Sequence, residues 1–317
     1  MYSLLRRTIL LVAVLVVFAG EARSETAGPA AVLTSCKGPV TVIHAGASSP
    51  ASFGLPLNDG DEVKTGAGAE AEIMFPAGNW VQIGANSSMK IKGHPAEKAE
   101  AAPDPKTKSG NFEVVQNFLK LKSPEGTSSV GVLRSGDKPP VLEPIAPSQT
   151  RVRAAQPVFR WQAADASQEL RLTVYGEGKV IWQTDVQGVT TFTYPADAPA
   201  LKPGVSYSWT LETADPLVSP PIRTPASFFE LIAPADAKTL ETDLSQLDAN
   251  RPGPVTYHLT RASLFFDHGL VDDAITATES AVASDPENDS LHTILGRLYA
   301  EAGRNREAID EMNKAQK

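Results

Sequence analysis

The sequence predicts a multidomain protein in which two all-β domains precede an all-α domain of helical hairpins. Short stretches of alternating apolar and polar residues, separated by Gly and Asn turns, run from Val32 to Leu133. Beyond a proline-rich link near residue 140, a second set of strand-like segments begins. The last part of the chain repeats itself at an offset of 34 residues, a period typical of stacked helical units. A length of 317 residues agrees with two or three domains.

Residues 1–24 have the features of a secretory signal peptide. Arg6 and Arg7 precede an apolar run from Ile9 to Phe18, and Ala22-Arg23-Ser24 fits a small-x-small cleavage site. The alternative is an uncleaved anchor, but about ten apolar residues fall short of the roughly 20 that a spanning helix needs. We therefore predict a cleaved signal and a periplasmic or secreted protein without an integral membrane segment.

Charge and cysteine content narrow the classes of partner. Removal of the leader, with its three arginines and one glutamate, takes the net charge from −8 to about −10. A nucleic-acid-binding protein needs a basic surface, so we expect no nucleic-acid partner. Cys36 is the only cysteine, which excludes an intramolecular disulfide, and we expect it to act as a small packing residue.

The first predicted domain covers residues 31–136 and is all β. From Glu70 to Phe75 the apolar residues alternate with Glu70 and Glu72, which predicts an antiparallel sheet with those two carboxylates on a wet face. Residues 94–109 lack apolar anchors and predict a mobile insertion. The pattern from Phe112 to Lys122 is interpreted as a further strand.

Two motifs in this domain carry a family resemblance. The segment Leu57-Asn58-Asp59-Gly60-Asp61-Glu62-Val63-Lys64-Thr65-Gly66 leads into the alternating strand, and Gly78-Asn79-Trp80-Val81-Gln82-Ile83-Gly84 follows it. Together they resemble the FecR-type periplasmic domain of bacteria. Signalling members of that family place a transmembrane helix and a cytosolic anti-sigma segment ahead of this domain, whereas only the predicted signal peptide precedes it in this sequence.

The second predicted domain covers residues 141–232. Strand-like segments recur every 10 to 15 residues without helical patches, which predicts a β-sandwich. The pattern Leu201, Pro203-Gly204, Tyr207 and Trp209 resembles the tyrosine-corner region of fibronectin type III and immunoglobulin-like domains. Trp161 and Trp209 are interpreted as core between the two sheets; the alternative is an exposed aromatic platform for carbohydrate.

The third predicted domain covers residues 235–317 and is all α. The expected helices run from Ala235 to Ala249, Val255 to His268, Asp272 onward, Ser290 to Ala302 and Arg306 to Ala315. Gly269 and Gly303 are the expected helix stops, 34 residues apart. This gives one half-repeat followed by two full repeats.

The repeat resembles the tetratricopeptide repeat, through Leu295-Gly296, Tyr299, Gly303, Ala308 and Ala315, with Pro286 ending the preceding unit. The resemblance implies a concave partner-binding groove lined by the first helix of each repeat. It selects Thr256, Leu259, Ser263, Phe266, Ser290, Thr293 and Arg297. Arg297 is a candidate clamp for a peptide carboxylate, or alternatively a solvated helix charge. Because so few repeats leave one end exposed, we expect docking onto the sandwich or self-association to cover it.

We find no motif of catalysis or of metal or cofactor binding. The histidines at 44, 94, 258, 268 and 292 are dispersed, whereas a zinc site needs clustered ligands. Gly66-x-Gly68 lacks the third glycine and the following helix of a nucleotide-binding loop. The sequence therefore predicts a non-enzymatic scaffold protein of the cell envelope that binds a protein or peptide partner and no cofactor. The alternatives are an envelope signal sensor that relays to a membrane regulator, and a cell-wall glycan-binding protein.

Overall fold

A computed structural model describes most of the chain. The described residues are 28–76, 79–92, 108–122, 142–165, 167–214, 220–249 and 251–316. The predicted signal peptide and almost all of the predicted insertion 94–109 lie outside them, although residues 108 and 109 already belong to a helix. Within these ranges, none of the helices combines the length and apolar character that crossing a membrane requires.

Residues 28–92, here called the first β unit, form two four-stranded antiparallel sheets. One sheet has the order β4-β1-β6-β7 and the other β3-β2-β5-β8. The strands are β1 Ala31–Lys37, β2 Val40–His44, β3 Ala47–Pro50, β4 Pro56–Leu57, β5 Glu62–Thr65, β6 Glu70–Met74, β7 Trp80–Ile83 and β8 Ser88–Lys90. Both sheets contribute to one apolar core, which includes Leu33, Val42, Val63 and Ile73, with Cys36 half-buried beside it.

Two predictions for this region are wrong. Residues Phe112 to Lys122 are not a strand: helix α1 spans Lys108–Leu119 and a 3-10 turn spans Lys120–Lys122. Phe112, Val115 and Leu119 are separated by three and four residues, so they share one side of a helix and are buried there. Glu72 does not face water; it is only 6% exposed, because the C-terminal helices cover that face of β6.

Residues 142–231, here called the second β unit, also form two sheets around one core. The five-stranded sheet has the order β10-β16-β15-β12-β13, with β10 and β16 parallel, and the three-stranded sheet has the order β14-β11-β9. The strands are β9 Leu142–Ala146, β10 Thr150–Val152, β11 Val158–Ala163, β12 Leu170–Gly176, β13 Lys179–Val186, β14 Thr191–Thr193, β15 Ser206–Thr213 and β16 Ser227–Leu231.

Several aromatic residues of the second β unit lie in its core. Trp161 and Trp209 are 2% and 0% exposed, so both are core residues and neither forms an exposed platform. The Tyr207 hydroxyl accepts a hydrogen bond from the Lys202 backbone N–H at 2.8 Å, across the turn that precedes its strand. Trp209 donates its indole N–H to the Pro147 carbonyl at 2.8 Å. These bonds satisfy polar groups that burial would otherwise leave unpaired.

Residues 234–314, here called the helical unit, contain five helices that agree with the predicted bounds to within one residue. They are α2 Pro234–Ala249, α3 Pro254–Asp267, α4 Val271–Ser284, α5 Asp289–Glu301 and α6 Asn305–Lys314. Helices α3 and α5 end in the same way. Gly269 and Gly303 have φ of 73° and 76°, and the backbone N–H of the residue after each glycine donates to the carbonyl five positions earlier, that of Phe265 and of Tyr299.

One apolar cluster joins the first β unit, α1 and the helical unit. Val32 and Met74 from the outer face of one sheet, together with Phe118 from α1, belong to the same buried cluster as Leu259 and Leu295 of the helices. The first β unit and the helical unit, which the sequence predicts as separate domains, therefore share one apolar core.

We expect Phe118→Ala to lower the free energy of unfolding by about 3 kcal/mol, because it removes a buried ring and leaves a cavity between α1 and the helices. Asn117→Ala, at the exposed neighbouring position, is the matched control and should change stability by less than about 0.5 kcal/mol. Urea denaturation measures both. Equal stabilities of the two variants would show that α1 contributes nothing to the shared core.

Candidate functional site on the inner face of the helical hairpins

The predicted groove residues divide into a covered half and an accessible half. On α3, Thr256, Leu259 and Ser263 are 1%, 0% and 1% exposed, beneath α1 and β1. The residues on α5 (Ser290, Thr293 and Arg297) are each half-buried, and Phe266 at the end of α3 is also half-buried. We call the surface formed by these seven residues the inner face. Its α3 half is occupied by the protein itself.

Helix α1 is the occupant. The Phe118 ring meets the Phe266 ring edge to face, with centroids 5.6 Å apart and planes at 62°. Val115 and Phe118 are 0% and 2% exposed on the same side of α1. The 3-10 turn that follows packs against α5, and the Lys122 ammonium donates to the Phe53 carbonyl of the first β unit. The inner face thus holds an amphipathic helix by apolar contact.

A buried carboxylate fixes the first β unit against the start of α3. Glu72 accepts a hydrogen bond from the Gly253 backbone N–H at 3.0 Å through one oxygen, and from the Thr256 hydroxyl through the other. The Thr34 and Thr256 hydroxyl oxygens lie 3.0 Å apart. A carboxylate at a helix N-terminus is stabilised by the helix dipole. A side chain at position 253 would collide with the Glu72 carboxylate, so the close approach requires glycine.

The sequence did not reveal this contact. In the sequence, Glu72 is one glutamate in an alternating strand, and Gly253 belongs to a Gly-Pro pair before a helix. The two residues lie 181 positions apart. Nothing local connects them. Thr256 is one of the predicted groove residues, but in the folded protein its hydroxyl donates to Glu72.

His292 is a second polar contact that the sequence missed. Its Nδ1 lies 2.6 Å from a Glu311 carboxylate oxygen, and its Nε2 lies 2.9 Å from the Pro286 carbonyl. Both ring nitrogens therefore lie within hydrogen-bond distance of an oxygen acceptor. Burial raises the pKa of Glu311, but hydrogen bonds from Lys314 and His292 outweigh it and hold that pKa below its usual range. The bonds tie α5 to α6 within one hairpin.

The second β unit contacts the ends of the hairpins. The backbone N–H of Arg151 donates to the Gly269 carbonyl at 2.8 Å, and the Ser148 hydroxyl donates to the Ala302 carbonyl at 2.8 Å. Arg153 pairs with Asp273 at 2.9 Å. The sequence-based expectation that the helices dock onto the sandwich agrees with these contacts, whereas the inner face itself is covered by the first β unit and α1.

Asp272, in the first turn of α4, is the most perturbed carboxyl at this contact. Its Oδ2 accepts from the Ser148 N–H at 3.4 Å, while its Oδ1 is sealed from solvent without a hydrogen-bond partner among the described residues. Burial raises the pKa of Asp272 to about 6, against partial opposition from the Ser148 bond and from Arg160 and Arg304. An ionised Asp272 is therefore costly in the folded protein.

We expect the folded protein to lose stability as this carboxyl ionises. The folded state keeps the Asp272 proton to a higher pH than the unfolded state, so the free energy of unfolding falls, by about 3 kcal/mol in total, as the pH rises from about 4 to above 6. Asp272→Asn should remove this part of the decline. Urea denaturation at about pH 4 and about pH 7.5 tests it, with the exposed Asp310→Asn as control. Parallel pH profiles for wild type and Asp272→Asn would contradict the prediction.

Thr256→Val should destabilise the contact between the first β unit and α3. It keeps the side-chain shape but removes the hydroxyl that donates to buried Glu72, at a cost of about 2 kcal/mol. Thr293→Val is the matched control, because the Thr293 hydroxyl donates only to the Asp289 carbonyl of its own helix. Chemical denaturation compares the two, and an equal effect would mean that the Glu72 contact adds no stability.

Comparison with known proteins does not assign the chain. No protein-family model matches it, and no curated protein matches it either. Among solved structures, it is weakly similar to dimeric latent PorU from Porphyromonas gingivalis, at 12% identity and a TM-score of 0.23 over 62% of this chain and 16% of that one. It is also weakly similar to a beta-1,2-glucanase from Parabacteroides distasonis, at 10% identity and a TM-score of 0.21 over 92% of this chain and 49% of that one. The chain thus spans less than half the length of each, and likeness at this level carries no argument about fold or function.

Proposed function

We propose that this protein is a non-enzymatic scaffold that mediates protein–protein interactions at the bacterial cell envelope, exported to the periplasm or secreted behind a cleaved signal peptide. The observation that supports it most directly is the seating of α1 on the inner face of the hairpins. A surface that holds an amphipathic helix through buried phenylalanine, valine and leucine contacts has the chemistry for helix-in-groove recognition.

The proposed modules are a FecR-like domain, a fibronectin type III or immunoglobulin-like sandwich, and tetratricopeptide-type repeats. The repeat assignment is supported by the matching glycine stops at Gly269 and Gly303 and by their identical backbone bonds. The sandwich assignment is supported by the Tyr207 bond to Lys202 and by the buried tryptophans. The FecR-like assignment rests on the sequence motifs within an antiparallel β unit.

On this proposal the partner reaches the accessible half of the inner face first. Ser290, Thr293 and Arg297 on α5 are partly exposed, whereas the α3 half opens only when α1 leaves it. Helix α1 then acts as an internal competitor, and the apparent Kd of the partner equals its intrinsic Kd divided by the fraction of molecules in which α1 has left its seat.

Envelope sensing is the second candidate function, and the buried contact of Glu72 with Gly253 and Thr256 favours it. A cue that displaces the first β unit would expose both a buried carboxylate and the apolar surface beneath it. The alternative of glycan binding by the β domains gains no support from Trp161 and Trp209, because both are buried and neither forms an exposed platform.

Site-specific photo-crosslinking in the producing cell tests the proposed scaffold function. A photoreactive residue at Thr293, on the accessible half of the inner face, should capture an envelope protein. The same residue at Thr242 should not, since Thr242 is exposed on α2 and makes the equivalent hydroxyl bond to its own helix. Arg297→Glu should reduce capture at Thr293. Equal capture at the two positions would argue against the inner face as the binding surface.

Release of α1 should strengthen partner capture. Phe118→Asp places a charge in the apolar seat and should raise the crosslinking yield at Thr293 by about tenfold, because a charge costs several kcal/mol when buried. Asn117→Asp adds the same charge at the exposed neighbouring position and should leave the yield unchanged. A lower yield with Phe118→Asp would mean that α1 forms part of the partner site and does not compete for it.

A further inference from the structure

A polar cleft of about 310 Å³ lies where the second β unit meets the helical unit. Its walls are β9, β11 and β14 on one side, and α4 with the turn before α6 on the other. Two arginines, a glutamate and three threonines contribute to its lining, and most of the exposed lining is polar. The volume is at the lower end of the range for small-molecule sites. We call it the two-arginine cleft.

Arg160 is the first reason to regard this cleft as a binding site. It lies on β11 between the buried Phe159 and Trp161 and faces away from the core. Among the described residues its guanidinium makes no side-chain hydrogen bond and no direct ion pair, and only the Asp272 carboxyl interacts with it at longer range. The protein carries 37 acidic side chains against 29 basic ones, so a guanidinium without an ion-pair partner in a concave site is unusual. The five N–H donors of such a group suit a carboxylate.

Arg304 supplies a second guanidinium, held in a fixed position. Its Nε donates to Glu307 at 2.8 Å, and the group stacks on the Tyr299 ring at 4.5 Å. The Nη2 group also faces Glu307, which leaves Nη1 for another acceptor. Because Arg304 follows the glycine stop of α5, the repeat geometry sets its direction. This fixation limits the entropy that a bound ligand would cost.

Glu279 gives the cleft an opposite charge as well. One of its oxygens accepts from the Tyr299 hydroxyl at 2.6 Å, and the other has no hydrogen-bond partner among the described residues. Thr276, one turn earlier on α4, and Thr191 on β14 add hydroxyls to the same lining. The cleft therefore combines free guanidinium donors with a free carboxylate acceptor.

From this combination we propose that the two-arginine cleft binds a free α-amino acid. The ligand's carboxylate pairs with Arg160 and Arg304, and its ammonium donates to the free oxygen of Glu279. An anion with several charges would be repelled by Glu279 and by Asp272, whose charge interacts with both arginines. An apolar ligand would leave the charged groups desolvated and unpaired. A bound amino acid would bridge the second β unit and the helical unit, and so stabilise their contact.

The test uses the full-length protein, with ligand-observed NMR and thermal denaturation against the twenty L-amino acids and D-alanine. At least one should bind with a Kd of about 1 mM or tighter and raise the Tm, while acetate and methylammonium bind at least about tenfold more weakly. Arg160→Ala should weaken binding by at least about tenfold. Glu279→Gln should weaken binding of the amino acid but not of acetate.

Controls separate the site from general surface effects. Arg171→Ala removes an exposed arginine of the same β unit that pairs with Asp185, and it should leave amino-acid binding unchanged. Arg297→Glu, which impairs the proposed partner surface, should also leave it unchanged. The proposal is overturned if no amino acid binds at about 10 mM, if acetate binds as tightly as the best amino acid, or if Arg160→Ala binds like the wild type.

Discussion

The packing of α1 against the hairpins is the interaction on which the rest of the helical unit depends. The helical hairpins have a broad apolar face that has to be covered by another part of the protein. Leu259 and Phe266 of α3 lie on this face, and Val115 and Phe118 of α1 provide its partner layer. The layer comes from a part of the chain that lies more than a hundred residues earlier. The stability of the helical unit and the occupancy of the inner face are therefore coupled, and any partner that bound there would have to displace α1.

Apolar packing alone would not fix how the first β unit sits on the helices, because apolar contacts are not directional. Glu72 supplies the direction. A buried carboxylate is tolerated only where its oxygens are hydrogen-bonded, and the N–H of Gly253 and the hydroxyl of Thr256 meet that need in one geometry. A shift of a few ångströms would leave the charge buried and unpaired. Because Glu72 can be buried only with these hydrogen bonds in place, it favours a single arrangement of the first β unit on the helical unit.

Local signals explain what the sequence predicts well. The helices and their glycine stops depend on residues within one or two turns, and Gly269 and Gly303 are followed by the expected backbone bonds. The apolar pattern of α1 also fits a strand, because a stretch of eleven residues accommodates both periods and its flanks lack clear helix signals. The parallel pairing of β10 with β16, the burial of Glu72 and the covering of Thr256 and Leu259 all depend on residues far apart in the chain. A single sequence contains no local trace of such contacts.

The backbone bonds at the ends of α3 and α5 have a mechanical consequence. One short segment of the second β unit contacts both ends, since Arg151 donates to the carbonyl of Gly269 and Ser148 donates to that of Ala302. Two consecutive hairpins are thus attached to one short segment, at Ser148 and Arg151, which lie three residues apart. The position of one hairpin relative to the other is therefore fixed from outside, by β10 and by the bend that precedes it.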